Sequence, residues 1–208
     1  MAGERLADRI GHVVGLAGSV LGLVWLVLIA SRYSSVLMVT SFAIYGAALV
    51  FSYVVSALYH DAPGHRLKRF LRVLDHAAVY LLIAGTYTPV SLVALNGDWG
   101  WSLFGAERGI AAFGITLKIL YPGRFERLSI ALYLALGWAG LAALGRLLEN
   151  VPWPGIALMA AGGIFFTSGV FFHTRTRLRY HNLIWHGFVL AGAACHVFMM
   201  LFYIRPVP

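Results

Sequence analysis

Charge is what this sequence has least of. Asp, Glu, Lys and Arg make up 12% of its 208 residues, about half the roughly 25% of an ordinary globular domain. A chain so poor in charge cannot cover a water-facing surface, which excludes a soluble globular fold. Cysteine is nearly missing too. The lone Cys195 rules out an intramolecular disulfide framework and reads as a packing residue. There are no internal repeats, low-complexity tracts, coiled-coil heptads or nucleic-acid motifs, and no loop is long enough to hold a further domain. Acidic residues are the scarcer charge, 8 against 16 Lys and Arg, for a net charge of +8. The basic residues punctuate long apolar runs, as they do in loops facing anionic lipid. Membrane lipids, not nucleic acid, are therefore the expected partners, and the chain is compatible with a homo-oligomer.

What is abundant is apolar: 60% of the residues, against roughly 45–50% in a globular domain. A spanning helix needs about 20 mostly apolar residues. Runs of that kind cover 10–31, 33–60, 76–97, 128–145, 150–174 and 180–204. A further run over 99–117 is interrupted by Glu107 and Arg108, which either sit at an interface or neutralise each other in the bundle. Counting it gives seven spans in one all-α transmembrane unit over 1–208. The first run reads as a span and not as a cleavable signal. With seven spans, the N-terminus and the second, fourth and sixth loops share one side and carry 12 of the 16 basic residues. That excess marks the cytoplasmic side, so the N-terminus is expected inside and the C-terminus outside, in a cell membrane. Gly11 and Gly15, and Gly18 and Gly22, have the four-residue spacing that lets helices approach closely.

Ionisable groups inside spans are costly and so are functional candidates. On this topology His12, Ser56, His60, Asp75, His76, His173, His181, Asn182 and His186 all fall near the inner face. His196 lies about 15 Å deeper at 1.5 Å per residue. Histidine, carboxylate and hydroxyl groups converging at one depth point to a metal site, because zinc readily takes imidazole nitrogen. Ser56 and His60 share a helix face, as do Asn182 and His186. His65 reads as solvated, His173 as interfacial and His196 as an interhelical hydrogen-bond donor. Thr86, Thr88 and Pro89 read as a helix bend whose backbone groups are re-satisfied locally.

The stretches Ser56-Ala-Leu-Tyr-His60, Arg72-Val-Leu-Asp-His76 and Tyr80-Leu-Leu-Ile-Ala-Gly-Thr-Tyr-Thr-Pro89 resemble the central motif of the hemolysin III family. That family is the bacterial branch of the progestin and adipoQ receptor (PAQR) superfamily. Glu4, Asp8, His12 and Gly15 resemble its N-terminal motif, with Asp8 where Asn is usual. Tyr133 and Gly137-Trp138 fit its fifth span, and Trp185-His186 through His196 its seventh.

The resemblance implies seven helices with the N-terminus inside. It also implies a zinc ion held by the histidine of the second span and two of the seventh, four residues apart. His60 and His186 match. Four before His186 stands Asn182, and an amide oxygen is a poor zinc ligand. The nearby histidine is His181, five residues before His186 and about 140° around a straight helix from it. His181, Asn182, Asp75 and water are thus the alternatives for the third place. The superfamily's similarity to alkaline ceramidases implies hydrolysis of a lipid amide or ester, with Asp75 as general base and Ser56 assisting. A non-catalytic, zinc-stapled membrane regulator is the alternative. A haemolytic pore is less supported, since no span alternates polar and apolar residues.

Overall fold

The computed structural model describes residues 2–33, 35–175 and 177–206. Among these the chain is all helix and turn, with no strand. In order it forms α1 (Ala2–Ser31), α2 (Val36–Asp61), α3 (His65–Pro89) with a π-helical continuation over Val90–Leu95, and α4 (Gly97–Leu120). Then come α5 (Glu126–Gly137), a 3-10 turn (Ala139–Ala143), α6 (Leu144–Asn150), α7 (Trp153–His173) and α8 (His181–Tyr203). Six stretches are long and apolar enough to cross a bilayer: 6–31, 36–61, 65–95, 126–150, 153–173 and 181–203. Side chains that a water-soluble protein would bury face outward, among them Val36 (82% exposed), Trp153 (70%) and Val13 (68%). Leu26, Met38, Phe42 and Tyr45 are fully buried inside the bundle. The chain is a multi-pass integral membrane protein.

Local chemistry explains the boundaries. Ser35 caps α2, its hydroxyl accepting from the Met38 N–H at 3.3 Å, and satisfies one of the free donors at the helix start. The Asn96 side chain does the same for the Gly97 N–H at 2.8 Å. The basic stretch 65–72, expected as a loop, is instead the first two turns of α3. After Pro63, Gly64 turns the chain at φ 74, and Arg, Lys and Leu are good helix formers, so the helix starts at His65.

Pro89 ends the regular part of α3. It has no N–H to donate and crowds the carbonyl four residues back. The next turn widens to π geometry, with the Asn96 N–H reaching Ser91 O at 3.0 Å. Thr86 and Thr88 turn their hydroxyls back onto the helix, donating to Leu82 O (2.9 Å) and Ala84 O (3.1 Å), whereas the carbonyl that Pro89 leaves without a donor is that of Gly85. The α5–α6 span is also broken, and Tyr87 holds the break. Its hydroxyl donates to Gly137 O at 2.8 Å and accepts from the Gly140 N–H at 2.9 Å.

α4 is 24 residues long but carries charge. Glu107, 1% exposed, has no hydrogen-bond partner on either carboxylate oxygen among the described residues. Arg108 reaches away to the Thr88 hydroxyl on α3. The two side chains are adjacent in sequence and so project in directions about 100° apart, which takes them to different neighbours.

Candidate metal centre and adjoining cavity

The ends of α1, α2, α3, α5 and α8 that carry the polar residues meet at one end of the bundle. Arg9 of α1 pairs with Asp61 of α2 at 2.9 Å. Asn182 of α8 stands near the Asp8 carboxylate of α1. The glycines of α1 allow this approach. A Cβ on Gly15 would stand 2.0 Å from the Tyr53 ring of α2, and one on Gly11 would meet Leu183 of α8 at 3.0 Å. With α1 pressed into the groove between α2 and α8, His12 comes up against residues that lie 48 and 174 positions later.

His12, His60 and His186 form a cluster. One ring nitrogen of each lies within 4.8 Å of the others, a set able to hold a metal ion. Ring centroids are 5.1 Å apart for His12 and His60, 4.3 Å for His12 and His186, and 5.8 Å for His60 and His186. His12 is 4% exposed and His186 8%. His12 Nδ1 stands 2.7 Å from Asp8 O, one turn back on α1. A carbonyl can only accept, so Nδ1 carries the proton and donates. In the neutral ring Nε2 then keeps its lone pair, the arrangement by which an outer hydrogen bond orients a ligating imidazole. That Nε2 is 3.3 Å from Ser56 Oγ. His186 Nε2 is buried with no hydrogen-bond partner. An unsatisfied buried polar atom costs about 1–3 kcal/mol, and coordination would satisfy it. The donor set and the orphaned nitrogen fit a metal ion.

His186 and Ser56 also line a cavity of about 170 Å³. Asp75 and His76 join them there. Deeper walls are largely apolar and include Ile83, Phe166 and Val189. The cavity is thus polar where it meets the histidine cluster and mostly apolar beyond, with Thr86, Thr167 and His196 as polar points in its deeper wall. His12 and His60 stand behind it, and Ser56 touches both sides.

The residues singled out from sequence fall as follows. His60, His186, Ser56, Asp75 and His76 are brought to this end, with His12 completing the cluster. His181 is the first residue of α8, and its Nδ1 is buried without a partner. It is not one of the three mutually close histidines among the described residues. Asn182 stands near Asp8. His76 lines the cavity, and its backbone carbonyl accepts from the Tyr133 hydroxyl at 2.9 Å. His196 makes the expected interhelical bond, to Met159 O of α7 at 3.3 Å. Gly162 makes room for it, since a Cβ there would be 2.3 Å from the ring. Sequence reasoning gave His12 no ligand role, although one signal was available. Asp8 and Asn182, the two departures from the family pattern, stand near each other.

Buried polar groups gathered from three helices beside a cavity define a helical membrane protein with a built intramembrane site. A family profile described as Haemolysin-III related matches residues 6–197, and the chain belongs to that family. It is 37% identical to Hemolysin-3 of Bacillus cereus over 203 residues, covering 98% of this chain and 93% of the relative. It is also 37% identical to the Hemolysin-3 homolog of Bacillus subtilis (strain 168) over 205 residues, 99% and 96% of the two chains. The human monocyte to macrophage differentiation factor is 27% identical over 177 residues, 79% of this chain and 71% of that one. This more distant likeness supports the superfamily.

Proposed function

We propose that the chain is a zinc-dependent hydrolase of a membrane lipid amide or ester. In this reading residues 1–208 form one seven-span unit, N-terminus in the cytoplasm and C-terminus outside, with α4 as the fourth span. The observation that carries it is the convergence of His12, His60 and His186 beside Ser56 and an apolar-walled cavity. Three protein ligands with one position left open are the pattern of catalytic zinc sites. His12 takes the third place in preference to His181. Zinc bound there would polarise a carbonyl and bring the pKa of water toward 7.

The chain's own residues supply the rest. The Asp8 carbonyl fixes the His12 tautomer and keeps Nε2 available. Asp75, beside Ser56, accepts the proton of the attacking water and returns it to the leaving group. The Ser56 hydroxyl donates to the oxygen on which charge develops. The deeper walls receive an acyl chain and exclude bulk water. Membrane lipid is then both substrate and partner, and the superfamily's similarity to ceramidases adds analogy alone.

A second reading is a non-catalytic regulator in which the ion staples helices together. It is favoured by the origin of the ligands on α1, α2 and α8, and by the position of His12 and His60 outside the cavity lining. Asp75→Asn separates the two. In the hydrolase it retains zinc and melting temperature but loses at least roughly 10²-fold in rate, the low end for general acid–base catalysis. Ceramide-like amides and phospholipid esters in liposomes are the substrates to screen. A zinc-loaded, folded wild type that turns over none of them overturns the hydrolase in favour of the staple.

A further inference from the structure

A second cavity, of about 120 Å³, lies between the first half of α3 and the turn after α4, lined by Arg69, Arg72, Val73, His76, Lys118, Pro122 and Gly123. One water needs about 10–15 Å³ on this measure, so the space holds a polyatomic ion. Because the stretch after Gly64 is helical, Arg69, Arg72 and His76 follow at spacings of three and four and share one helix face. Arg66 and Lys68, from the same basic stretch, do not line it, and Lys68 sits over the Tyr59 ring instead. Lys118 of α4 closes the far wall with its side chain only 2% exposed. The Pro122-Gly123 turn, with Gly123 at φ 77, forms the rim.

The charges in this pocket do not balance. Glu126 is the one carboxylate engaged with it among the described residues, and two cations share it: Lys118 Nζ at 2.8 Å and Arg72 at 3.5 Å. Arg69 has no ion-pair partner among the described residues. Three permanent cations thus face one carboxylate, with the His76 ring alongside. Lys118, the buried cation, is held by Glu126, which leaves the Arg69 and Arg72 guanidinium groups at the mouth, and a guanidinium fork matches phosphate oxygens two at a time. Basic pockets between membrane helices near the cytoplasmic face suit lipid headgroups.

We infer that this pocket binds a phosphate group, either the headgroup phosphate of an anionic phospholipid or the inorganic ion. The inference rests on the pocket alone and needs neither the metal nor turnover. Because His76 lines both cavities, a headgroup held here lies next to the proposed reaction site.

The test uses the full chain in detergent micelles at fixed ionic strength. Binding and melting temperature are followed by tryptophan fluorescence during titration with inorganic phosphate. A parallel series compares micelles doped with phosphatidic acid and micelles doped with phosphatidylcholine. Wild type is expected to bind and be stabilised by phosphatidic acid, by phosphate, or by both. Phosphate displacing phosphatidic acid marks a site open to both sources, and binding of one probe alone identifies its source. Arg69→Gln, and the double variant with Arg72→Gln, should weaken that binding at least roughly tenfold, as loss of charge-assisted hydrogen bonds requires. Arg66→Gln should stay within about twofold. Should the double variant fail to fold, Arg69→Gln decides alone, because its exposed side chain holds no ion pair. Binding of neither probe overturns the inference. So does an equal loss in Arg66→Gln, which would mean diffuse surface attraction and no pocket.

Discussion

Removing the His12 ring tests the cluster where structure and family resemblance diverge. The resemblance asks for a third histidine on the last span, whereas the geometry offers one on the first, with its ring centroid 4.3 Å from that of His186. Partners that merely orient a ligand are worth 10–100-fold in metal affinity. Losing a ligand outright should exceed that upper end, so His12→Ala is expected to weaken zinc binding by more than about 100-fold. At 1.4 kcal/mol per decade this is about 2.8 kcal/mol. His181→Ala should stay within about threefold of wild type. Asp8→Ala leaves the carbonyl that fixes His12 and removes a carboxylate that stands near His12, His181 and Asn182 without ligating, so its loss should stay under roughly tenfold. The assay is competition against a chromophoric chelator on detergent-purified protein, with elemental analysis of the same samples. Linkage gives a second readout. Zinc at 100 times its Kd should stabilise wild type by about 2.7 kcal/mol and raise its melting temperature, whereas His12→Ala should not respond. If His12→Ala binds zinc as tightly as wild type while His181→Ala loses it, the three-helix cluster is not the metal centre.

Three other outcomes can be measured. Tyr87→Phe strips the partner from both the Gly137 carbonyl and the Gly140 N–H, and should cost about 2–6 kcal/mol at about 1–3 per stranded group; a loss under about 0.5 kcal/mol would show that the break before α6 holds without it. Glu107→Met removes a buried carboxyl that has no partner among the described residues and should raise thermal stability, by about 1–3 kcal/mol; a lower melting temperature would reveal a needed contact at that carboxyl. A reporter inserted at 62–64 should read as cytoplasmic and one fused to the C-terminus as external, and both reading on one side would rule out seven spans.

Much of the fold was legible because a bilayer imposes a simple rule on length and polarity. The apolar runs around Leu26, Phe42 and Tyr45 had to be spanning helices, and the bend at Pro89 followed from a missing N–H. Helix starts were less legible. The basic stretch before His76 reads as loop by charge, yet long cationic side chains are good helix formers and can extend outward from a helix. In the site, His60, His186, Ser56 and Asp75 were readable as costly polar groups at one depth. His12 was readable at the same depth but not as the third member of the cluster, because depth along the bilayer can be counted along a sequence and adjacency around a bundle cannot. That α1 lies against α8 depends on Gly11 and Gly15 meeting Leu183 and Tyr53, which no local pattern reveals. The pocket at Arg69 was hidden for the same reason, since Lys118 arrives from another helix.

The origin of the cluster on the first, second and last helices also sets a schedule for biosynthesis. From residue 60 to residue 186 the ribosome adds 126 residues, which at 5–20 residues per second takes roughly 6–25 s. Through that interval α1 and α2 lie in the bilayer with Asp8, His12, Ser56 and His60 in place and their α8 partners not yet made. A chain that stops before α8 can insert most of its spans and still have no metal centre. On the proposed reading, metal loading would report that α8 has been made, and quality control that senses exposed polar groups would have several seconds in which to act on a nascent chain.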